Sequence, residues 1–179
     1  SKEMIGGYYL LQAKDLKKHI SSTHYGHNAL VPVLSIANAV YDEVVFTNFE
    51  TPTTNNLKFI SGLYDEPTER TSKIVAGRTG KNAYSLPLVD PLGQTFYKRK
   101  STTTKYIFSC WINGNGNSGT LNVKLNSTSN NPVLTLSYSG SAWTYHQKVI
   151  ELTVSNGNHQ LLVECSGQGM IDDILFYPE

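Results

Sequence analysis

Aromatic side chains are the residues of this sequence best suited to holding a ligand. The chain of 179 residues contains 2 tryptophans and 11 tyrosines. A sugar ring has apolar C–H faces and polar edges, so exposed aromatic rings flanked by amides and hydroxyls can bind it. Trp111 falls on the opposite parity from Phe108 and Cys110, and in a strand it would point away from them. The candidates for glycan binding are Trp111, Trp143, Tyr84 and Tyr145. In a sandwich of this size both tryptophans could instead belong to the core.

Sequence motifs of common enzymes are missing. No G-x-S-x-G elbow occurs, and the glycines around Gly114 and Gly116 lack the Lys-Ser/Thr of a phosphate-binding loop. Both cysteines fall in the middle of predicted strands, where a nucleophile would be buried. The carboxylates are scattered, and this spacing leaves open the facing pair that a glycoside hydrolase needs. No catalytic residue is predicted.

The composition limits the cellular location and the classes of partner that the protein is expected to have. The net charge is +1 and only 16% of residues are charged, so no strong field favours nucleic acid or an anionic membrane. No apolar run reaches the roughly 20 residues of a membrane span. A surface of Ser, Thr, Asn and Gly is typical of extracellular β-sandwiches, so we expect a secreted or cell-surface location. Residues 1–4 look like the cut end of a longer chain.

The two cysteines allow two interpretations. Cys110 and Cys165 each share the apolar parity of their segment, so both could be buried thiols that pack as small hydrophobes. A disulfide between neighbouring strands would instead fit an oxidising compartment.

The elements that must position these residues are short strands. Apolar alternation and Asn-Gly or Gly-Ser turns begin near Val44 and continue to the end of the chain. Strands are predicted at 44–46, 72–75, 83–88, 105–112, 120–125, 133–138, 144–154, 159–165 and 170–177. Turns at 113–117, 139–141, 156–158 and 167–169 are expected to close tight hairpins. Many short strands joined in this way predict a β-sandwich or barrel.

Residues 1–44 differ from the rest. The stretch 8–20 fits a short amphipathic helix, or a strand followed by a helix, and 21–26 contains loop residues. We therefore expect an irregular or partly helical N-terminal extension or linker at 1–44, followed by one β-sandwich module at 45–179. The basic run Lys98-Arg99-Lys100 is interpreted as a solvated loop.

Five short motifs then occur in a recognisable order. They are Phe49-Glu50, the stretch 77–86 (GRTGKNAYSL), the stretch 106–112 (YIFSCWI), Ala142-Trp143 and Ile171-Asp172-Asp173. This order resembles the jelly-roll carbohydrate-binding modules of the xylan- and glucan-binding kind, within the galactose-binding-like superfamily, over about residues 45–179. The resemblance implies an all-β jelly-roll β-sandwich. With the leader 35–43 it is also similar to modules embedded in large Bacteroidetes surface proteins that carry Rhs/YD-type repeats.

The resemblance also implies one structural calcium ion. Such modules hold it near the edge of the sandwich, and the matching positions here are Glu50 and Asp172 as carboxylates, Lys81 through its carbonyl and Asn48 as a further oxygen donor. Calcium prefers six to eight hard oxygens, which only the fold could gather from these distant positions. The alternative is that Glu50 and Asp172 are ordinary strand-end residues that bind loop N–H groups. Adjacent Asp172 and Asp173 are expected on opposite faces of a strand, so that only one of them reaches a given site.

The sequence therefore predicts a non-catalytic carbohydrate-binding module with a structural calcium, part of a larger secreted or surface protein. Its expected partner is a polysaccharide or cell-surface glycan, with no nucleic acid and no membrane span, and the module is expected to be monomeric. One alternative is a structural or adhesive spacer domain without a sugar site. A glycoside-active enzyme with two facing carboxylates is the third hypothesis.

Overall fold

The architecture is known from a computed structural model, which describes residues 3–5, 9–15, 19–26, 31–49, 58–59, 74–87, 91–126 and 131–179. Fifteen strands and one short 3-10 helix, Tyr41–Glu43, occur in these ranges. The strands are β1 Glu3–Ile5, β2 Tyr9–Lys14, β3 Ile20–Gly26, β4 Val31–Ala37, β5 Val45–Thr47, β6 Lys58–Phe59, β7 Ile74–Ala76, β8 Asn82–Leu86, β9 Leu92–Lys98, β10 Thr104–Asn113, β11 Ser118–Leu125, β12 Leu134–Ser139, β13 Thr144–Leu152, β14 Gly157–Ser166 and β15 Gly169–Pro178.

Two antiparallel sheets form the main body of the protein. The first sheet has the strand order β13-β10-β15-β8-β7, and β5 pairs with the remaining part of β15. The second sheet has the order β12-β11-β14-β9-β6. Strands that are distant in sequence are therefore neighbours in space, as β10 and β15 show. The fold is an all-β sandwich of jelly-roll type, as predicted.

The core lies between these two sheets and follows the alternation that the sequence displays. On β10 the side chains of Tyr106, Phe108, Cys110 and Ile112 are all buried, because every second residue points to the same face. Leu121 and the other inward residues of the second sheet meet them from the opposite side. Cys110 and Cys165, one from each sheet, are both buried free thiols in this core.

The four turns predicted at 113–117, 139–141, 156–158 and 167–169 do not close hairpins, so that expectation was wrong. Asn115 and Gly116 adopt positive φ angles of 49° and 83°, as an Asn-Gly turn requires, but they connect β10 of the first sheet to β11 of the second. The turns at 139–141, 156–158 and 167–169 also cross from one sheet to the other. The residues of a turn indicate only the local backbone conformation. Which strand each segment pairs with depends on the packing of the two apolar sheet faces.

The described residues of the N-terminal region form mainly a third sheet, and the 3-10 helix Tyr41–Glu43 is their helical part. β1 to β4 form an antiparallel meander, and β3 covers 21–26, where a loop was expected. The first half of the stretch 8–20 is the strand β2, and its described residues contain no helix. Ile36, Ala39 and Val44 form a small apolar cluster against Leu175 and Tyr177 of β15. This contact joins the N-terminal region to the first sheet, while the division at residue 44 remains a prediction.

Strand β9 was not predicted, and it changes the environment of the basic run. Its last residue, Lys98, is fully buried instead of lying in a solvated loop. The Lys98 ammonium donates hydrogen bonds to the carbonyls of Lys100 and Thr102, the latter at 2.8 Å. Carbonyl acceptors replace water around the buried charge. Arg99 and Lys100 are exposed, as expected for a basic run.

Within the described part of the chain, no helix has the length and apolar character needed to span a membrane.

Candidate functional site

An aromatic pair lies on the outer face of the first sheet. Trp111 of β10 and Tyr145 of β13 are directly opposite each other in the antiparallel register, and their ring centroids are 5.0 Å apart. Tyr145 is 46% exposed and Trp111 is half-buried. The Tyr145 hydroxyl donates a 2.8 Å hydrogen bond to Oε1 of Gln147. This aromatic pair, together with the Gln147 amide, presents an apolar ring beside polar groups, and the role of Trp111 and Tyr145 in ligand binding stays a prediction.

Arg78 covers the tryptophan of this pair. Its guanidinium carbon lies 3.3 Å from the centroid of the Trp111 ring, a cation–π contact. Arg78 belongs to the loop at 77–81 between β7 and β8, and its side chain is exposed. The Arg78 and Thr79 N–H groups both donate to Oδ2 of Asp172, at 3.0 and 3.2 Å. Asp172 therefore anchors the loop that carries Arg78 to the aromatic pair.

Both carboxylates of the Asp172-Asp173 pair contact the same loop residue. A bulge in β15 places two residues opposite Cys110, and Asp173 adopts a φ angle of 49°. The Thr79 N–H donates to Asp172, while its hydroxyl donates to Oδ2 of Asp173 at 2.6 Å. The expectation that only one of the two could reach a given site was wrong, because it assumed an unbroken strand.

Burial shifts the acidity of Asp172. The side chain is fully buried, and burial together with the nearby Asp173 charge raises the pKa of its carboxyl group to about 6. Hydrogen bonds from three backbone N–H groups, those of Thr79, Arg78 and Asp173, oppose the shift. The carboxylate therefore binds loop N–H groups, which is the alternative considered for it from the sequence.

Three further positions were proposed as calcium ligands. Glu50 lies outside the described residues. Asn48 is half-buried directly after β5, and Lys81 is exposed at the end of the 77–81 loop, where its carbonyl accepts a 3.0 Å hydrogen bond from the Gly77 N–H. The carbonyl of Phe49 accepts a 3.2 Å hydrogen bond from the side chain of Asn82, which follows Lys81. The segment that directly follows β5, at Asn48 and Phe49, therefore lies beside this loop.

Metal-binding chemistry at this edge is limited to oxygen donors. Carboxylates and carbonyls are the ligands that calcium prefers, so the donor types of Asp172, Asp173 and Lys81 fit this ion. Among the residues that the structure describes, no three His, Cys, Asp or Glu side chains form a group able to hold a metal. A third carboxylate would have to come from outside the described residues, where Glu50 lies.

The other two aromatic candidates differ from the Trp111–Tyr145 pair. Tyr84 is only 6% exposed and packs in the core, with its ring centroid 5.6 Å from that of Phe49. Its proposed role in ligand binding was therefore wrong, because β8 turns Tyr84 inward between the sheets. Trp143 is half-buried in the turn before β13, and its role in binding remains a prediction.

Arg78 and Gln147 were not singled out from the sequence. Gln147 is two residues from Tyr145 on β13, so period-two spacing could have indicated that both share a face. No comparable signal exists for Arg78, since its position over Trp111 depends on contacts between residues more than 90 positions apart.

Comparisons with known proteins return similar structures. A scan against protein-family models found no match, and neither did a search of curated proteins. Among solved structures, the carbohydrate-binding module CBM6cm-2 of Cellvibrio mixtus lichenase 5A, in complex with cellotriose, is 16% identical with a TM-score of 0.46, covering 58% of this chain and 82% of that one. The C-terminal family 6 module of the marine laminarinase LamC from Zobellia galactanivorans is 11% identical with a TM-score of 0.47, covering 75% and 98%.

A module of a second kind is also similar. Carbohydrate-binding module CBM36 in complex with calcium and xylotriose is 12% identical with a TM-score of 0.46, covering 69% of this chain and 94% of that one. These three structures are carbohydrate-binding modules, the class that the sequence motifs also resemble. The GH115 4-O-methyl-alpha-glucuronidase BtGH115A, an enzyme, is also similar, at 18% identity with a TM-score of 0.42, covering 54% of this chain and 14% of that one.

Proposed function

We propose that this chain is a non-catalytic carbohydrate-binding module whose binding surface is the Trp111–Tyr145 aromatic pair. The observation that carries the proposal is the exposed ring of Tyr145 beside Trp111, with the Gln147 amide at its hydroxyl. Tyr145 would stack on the apolar face of a sugar ring, while Gln147 and the Arg78 guanidinium would bind its hydroxyl groups. The partner is a polysaccharide or cell-surface glycan.

The two alternative functions lack comparable support. A spacer domain needs no surface aromatic pair flanked by an amide, which is the arrangement of Trp111, Tyr145 and Gln147. A glycoside hydrolase needs two carboxylates on opposite sides of a cleft. Asp172 and Asp173 are instead neighbours on one strand, and both bind the 77–81 loop. We further propose that the module acts outside the cell, as a monomeric part of a larger secreted or surface protein.

A glycan array followed by calorimetric titration tests the binding surface. Tyr145→Ala should weaken the affinity for any glycan found by at least about tenfold, which corresponds to about 1.4 kcal/mol. Val149→Ala is the matched control, because Val149 is a 50% exposed apolar residue on the same strand and the same face. Equal affinities of wild type and Tyr145→Ala for every bound glycan would reject this surface. No bound glycan on a broad array would favour the spacer hypothesis.

A structural calcium ion is the second part of the proposal. The support for it is that Asp172 and Asp173 bring two carboxylates to the 77–81 loop, which also contains Lys81. We propose that Glu50, Asp172, the Lys81 carbonyl and Asn48 hold the ion. When bound, calcium would neutralise these carboxylates and join the ends of β5, β15 and the loop, so that it stabilises the folded state by mass action.

A melting curve in calcium and in EDTA tests this site. Calcium should raise the Tm of the wild type, and Asp172→Asn and Glu50→Gln should each remove the increase. Asp42→Asn, an exposed carboxylate on the 3-10 helix, is the control and should keep it. Identical melting curves in calcium and EDTA would reject the ion and would leave the proposed glycan surface untouched, because Tyr145 is not one of the ligands.

A further inference from the structure

The 3-10 helix Tyr41–Glu43 connects the N-terminal sheet to the sandwich. The Tyr41 N–H donates a 3.2 Å hydrogen bond to Oε1 of Gln12 in β2, which holds the helix on the N-terminal sheet. Just before the helix, the Asn38 N–H donates a 2.6 Å hydrogen bond to the carbonyl of Ile20 in β3. The helix therefore stays with the N-terminal sheet, and its contacts with the sandwich help to fix that sheet in place.

Glu43 provides a polar contact between this helix and the sandwich. Its side chain is 6% exposed, and its carboxylate accepts hydrogen bonds from the N–H groups of Val40 and Arg99, both at 3.3 Å. Val40 precedes the helix and Arg99 directly follows β9, so a single carboxylate joins the two parts of the protein. The apolar contact between the same parts is small, and its buried residues are Ile36, Ala39 and Val44.

The charge of an ionised Glu43 is poorly compensated. Its two hydrogen bonds are longer than the usual range of about 2.7 to 3.2 Å. No ion pair joins Glu43 to any Lys, Arg or His that the structure describes. The hydroxyl of Tyr106 is buried without a hydrogen-bond partner in the described ranges, and burial together with the Glu43 charge raises its pKa, so the two groups are close enough to interact. Because an unpaired buried charge destabilises a fold, attachment of the N-terminal sheet favours the neutral carboxyl group.

Several groups around Glu43 act in the opposite direction. Arg99 and Lys100, in the loop after β9, are exposed cations that favour the ionised form, and so do the two backbone hydrogen bonds. The Lys98 ammonium is held by the carbonyls of Lys100 and Thr102. Burial outweighs these effects and raises the pKa of Glu43 above its ordinary value of 4.5. Glu43 therefore binds a proton more tightly when the N-terminal sheet is attached than when it is released into solvent.

We propose that Glu43 is a proton-sensitive contact, which holds the N-terminal sheet on the sandwich more firmly when its carboxyl group is protonated than when it is ionised. The stability that this group gives to the attached state is complete below the pKa of the released Glu43. It is lost as the pH rises through the higher pKa of the attached Glu43. Release would uncover Leu175 and Tyr177, which lie on the same sheet face as Trp111. The contact does not depend on the proposed glycan surface, because it uses none of its residues.

Hydrogen–deuterium exchange of the full chain, measured by mass spectrometry between about pH 4 and pH 7, tests this contact. The quantity to follow is the protection of β2 and β3 divided by the protection of β10, because global unfolding opens all three strands and cancels in the ratio. Histidines change charge over the same range, and His19 pairs with Asp15 at 2.9 Å in the turn between β2 and β3. The reference protein is therefore His19→Gln, and its ratio should fall severalfold as the pH rises.

Two variants in the same His19→Gln protein assign the effect to Glu43. Glu43→Gln cannot ionise, so its ratio should no longer fall with pH. Asp42→Asn removes the exposed carboxylate of the same helix and should keep the full dependence. A ratio that stays constant or rises with pH in the reference protein overturns the proposal, and this result is decisive even if Glu43→Gln does not fold. An unchanged pH dependence in folded Glu43→Gln overturns it as well.

Discussion

The guanidinium carbon of Arg78 lies 3.3 Å from the centroid of the Trp111 ring. A planar guanidinium stacks on an aromatic face with little loss of hydration, and a lysine ammonium does so less well. The contact therefore helps to fix the position of the exposed 77–81 loop over the sheet. The hydrogen bonds that Asp172 accepts from this loop contribute to the same effect.

Arg78→Lys tests the stacking contact. The substitution keeps the charge and removes the planar group, so the free energy of unfolding should fall by about 0.5 to 1 kcal/mol, the range for an exposed cation–π pair. Urea denaturation followed by tryptophan fluorescence measures it. Arg99→Lys, the same change at another exposed arginine, should have no effect of this size. Equal stabilities of both variants and the wild type would contradict the contact.

Tyr84→Ala tests the assignment of Tyr84 to the core. Loss of a buried aromatic side chain leaves a cavity, so the free energy of unfolding should fall by about 3 to 5 kcal/mol. Tyr145→Ala, which removes an exposed tyrosine, should cost less than about 1.5 kcal/mol. Chemical denaturation of the two variants compares them directly. If Tyr84→Ala were as stable as Tyr145→Ala, the inward orientation of β8 would be incorrect.

The stability of the protein should depend on pH through Asp172. The carboxyl group has a pKa of about 6 when folded and near 3.9 when unfolded, so the folded state binds more protons between these values. In EDTA, stability should therefore fall as pH rises from about 4 to 6, by roughly 2 kcal/mol from this group. Denaturation at a series of pH values measures the slope.

Two comparisons assign the pH dependence to the carboxyl group of Asp172. Asp172→Asn should flatten the slope, because the amide cannot ionise, and Asp42→Asn at the surface should not. Bound calcium would favour the ionised form, so the slope of the wild type should also decrease when calcium replaces EDTA. If the wild type gained stability relative to Asp172→Asn as pH rises over this range in EDTA, the raised pKa of Asp172 would be contradicted.

The two cysteines should be unreactive in the folded protein. Burial raises the pKa of Cys165 to about 12 and also raises that of Cys110, so neither thiol is ionised near neutral pH. An aromatic disulfide reagent at pH 8 should label both cysteines in denaturant and neither in buffer. Ser141→Cys places a thiol in an exposed turn and should be labelled in buffer. Rapid native labelling of Cys110 or Cys165 would contradict their burial.

The alternation of apolar and polar residues along single strands explains which parts of the fold were predictable. Tyr106, Phe108, Cys110 and Ile112 recur every second residue and were expected on one face, and the structure buries all four. The same parity placed Trp111 on the opposite face, where the aromatic pair lies. Strand β9 lacked this signal, because its inward positions include Gln94 and the buried Lys98. The N-terminal strands were equally hard to recognise, since their apolar residues fit helical spacing as well.

The sequence by itself determined the class of fold and placed Trp111 on the strand face opposite to that of Phe108 and Cys110, because alternation within one strand depends only on the geometry of an extended backbone. Only the tertiary structure decided what surrounds that tryptophan. Tyr145 reaches it through the register of β10 and β13, and Arg78 reaches it through a loop held by Asp172. The bulge at Asp173 brings both aspartates to Thr79. These contacts join residues far apart in the chain, and they form only when two sheets bury their apolar faces against each other.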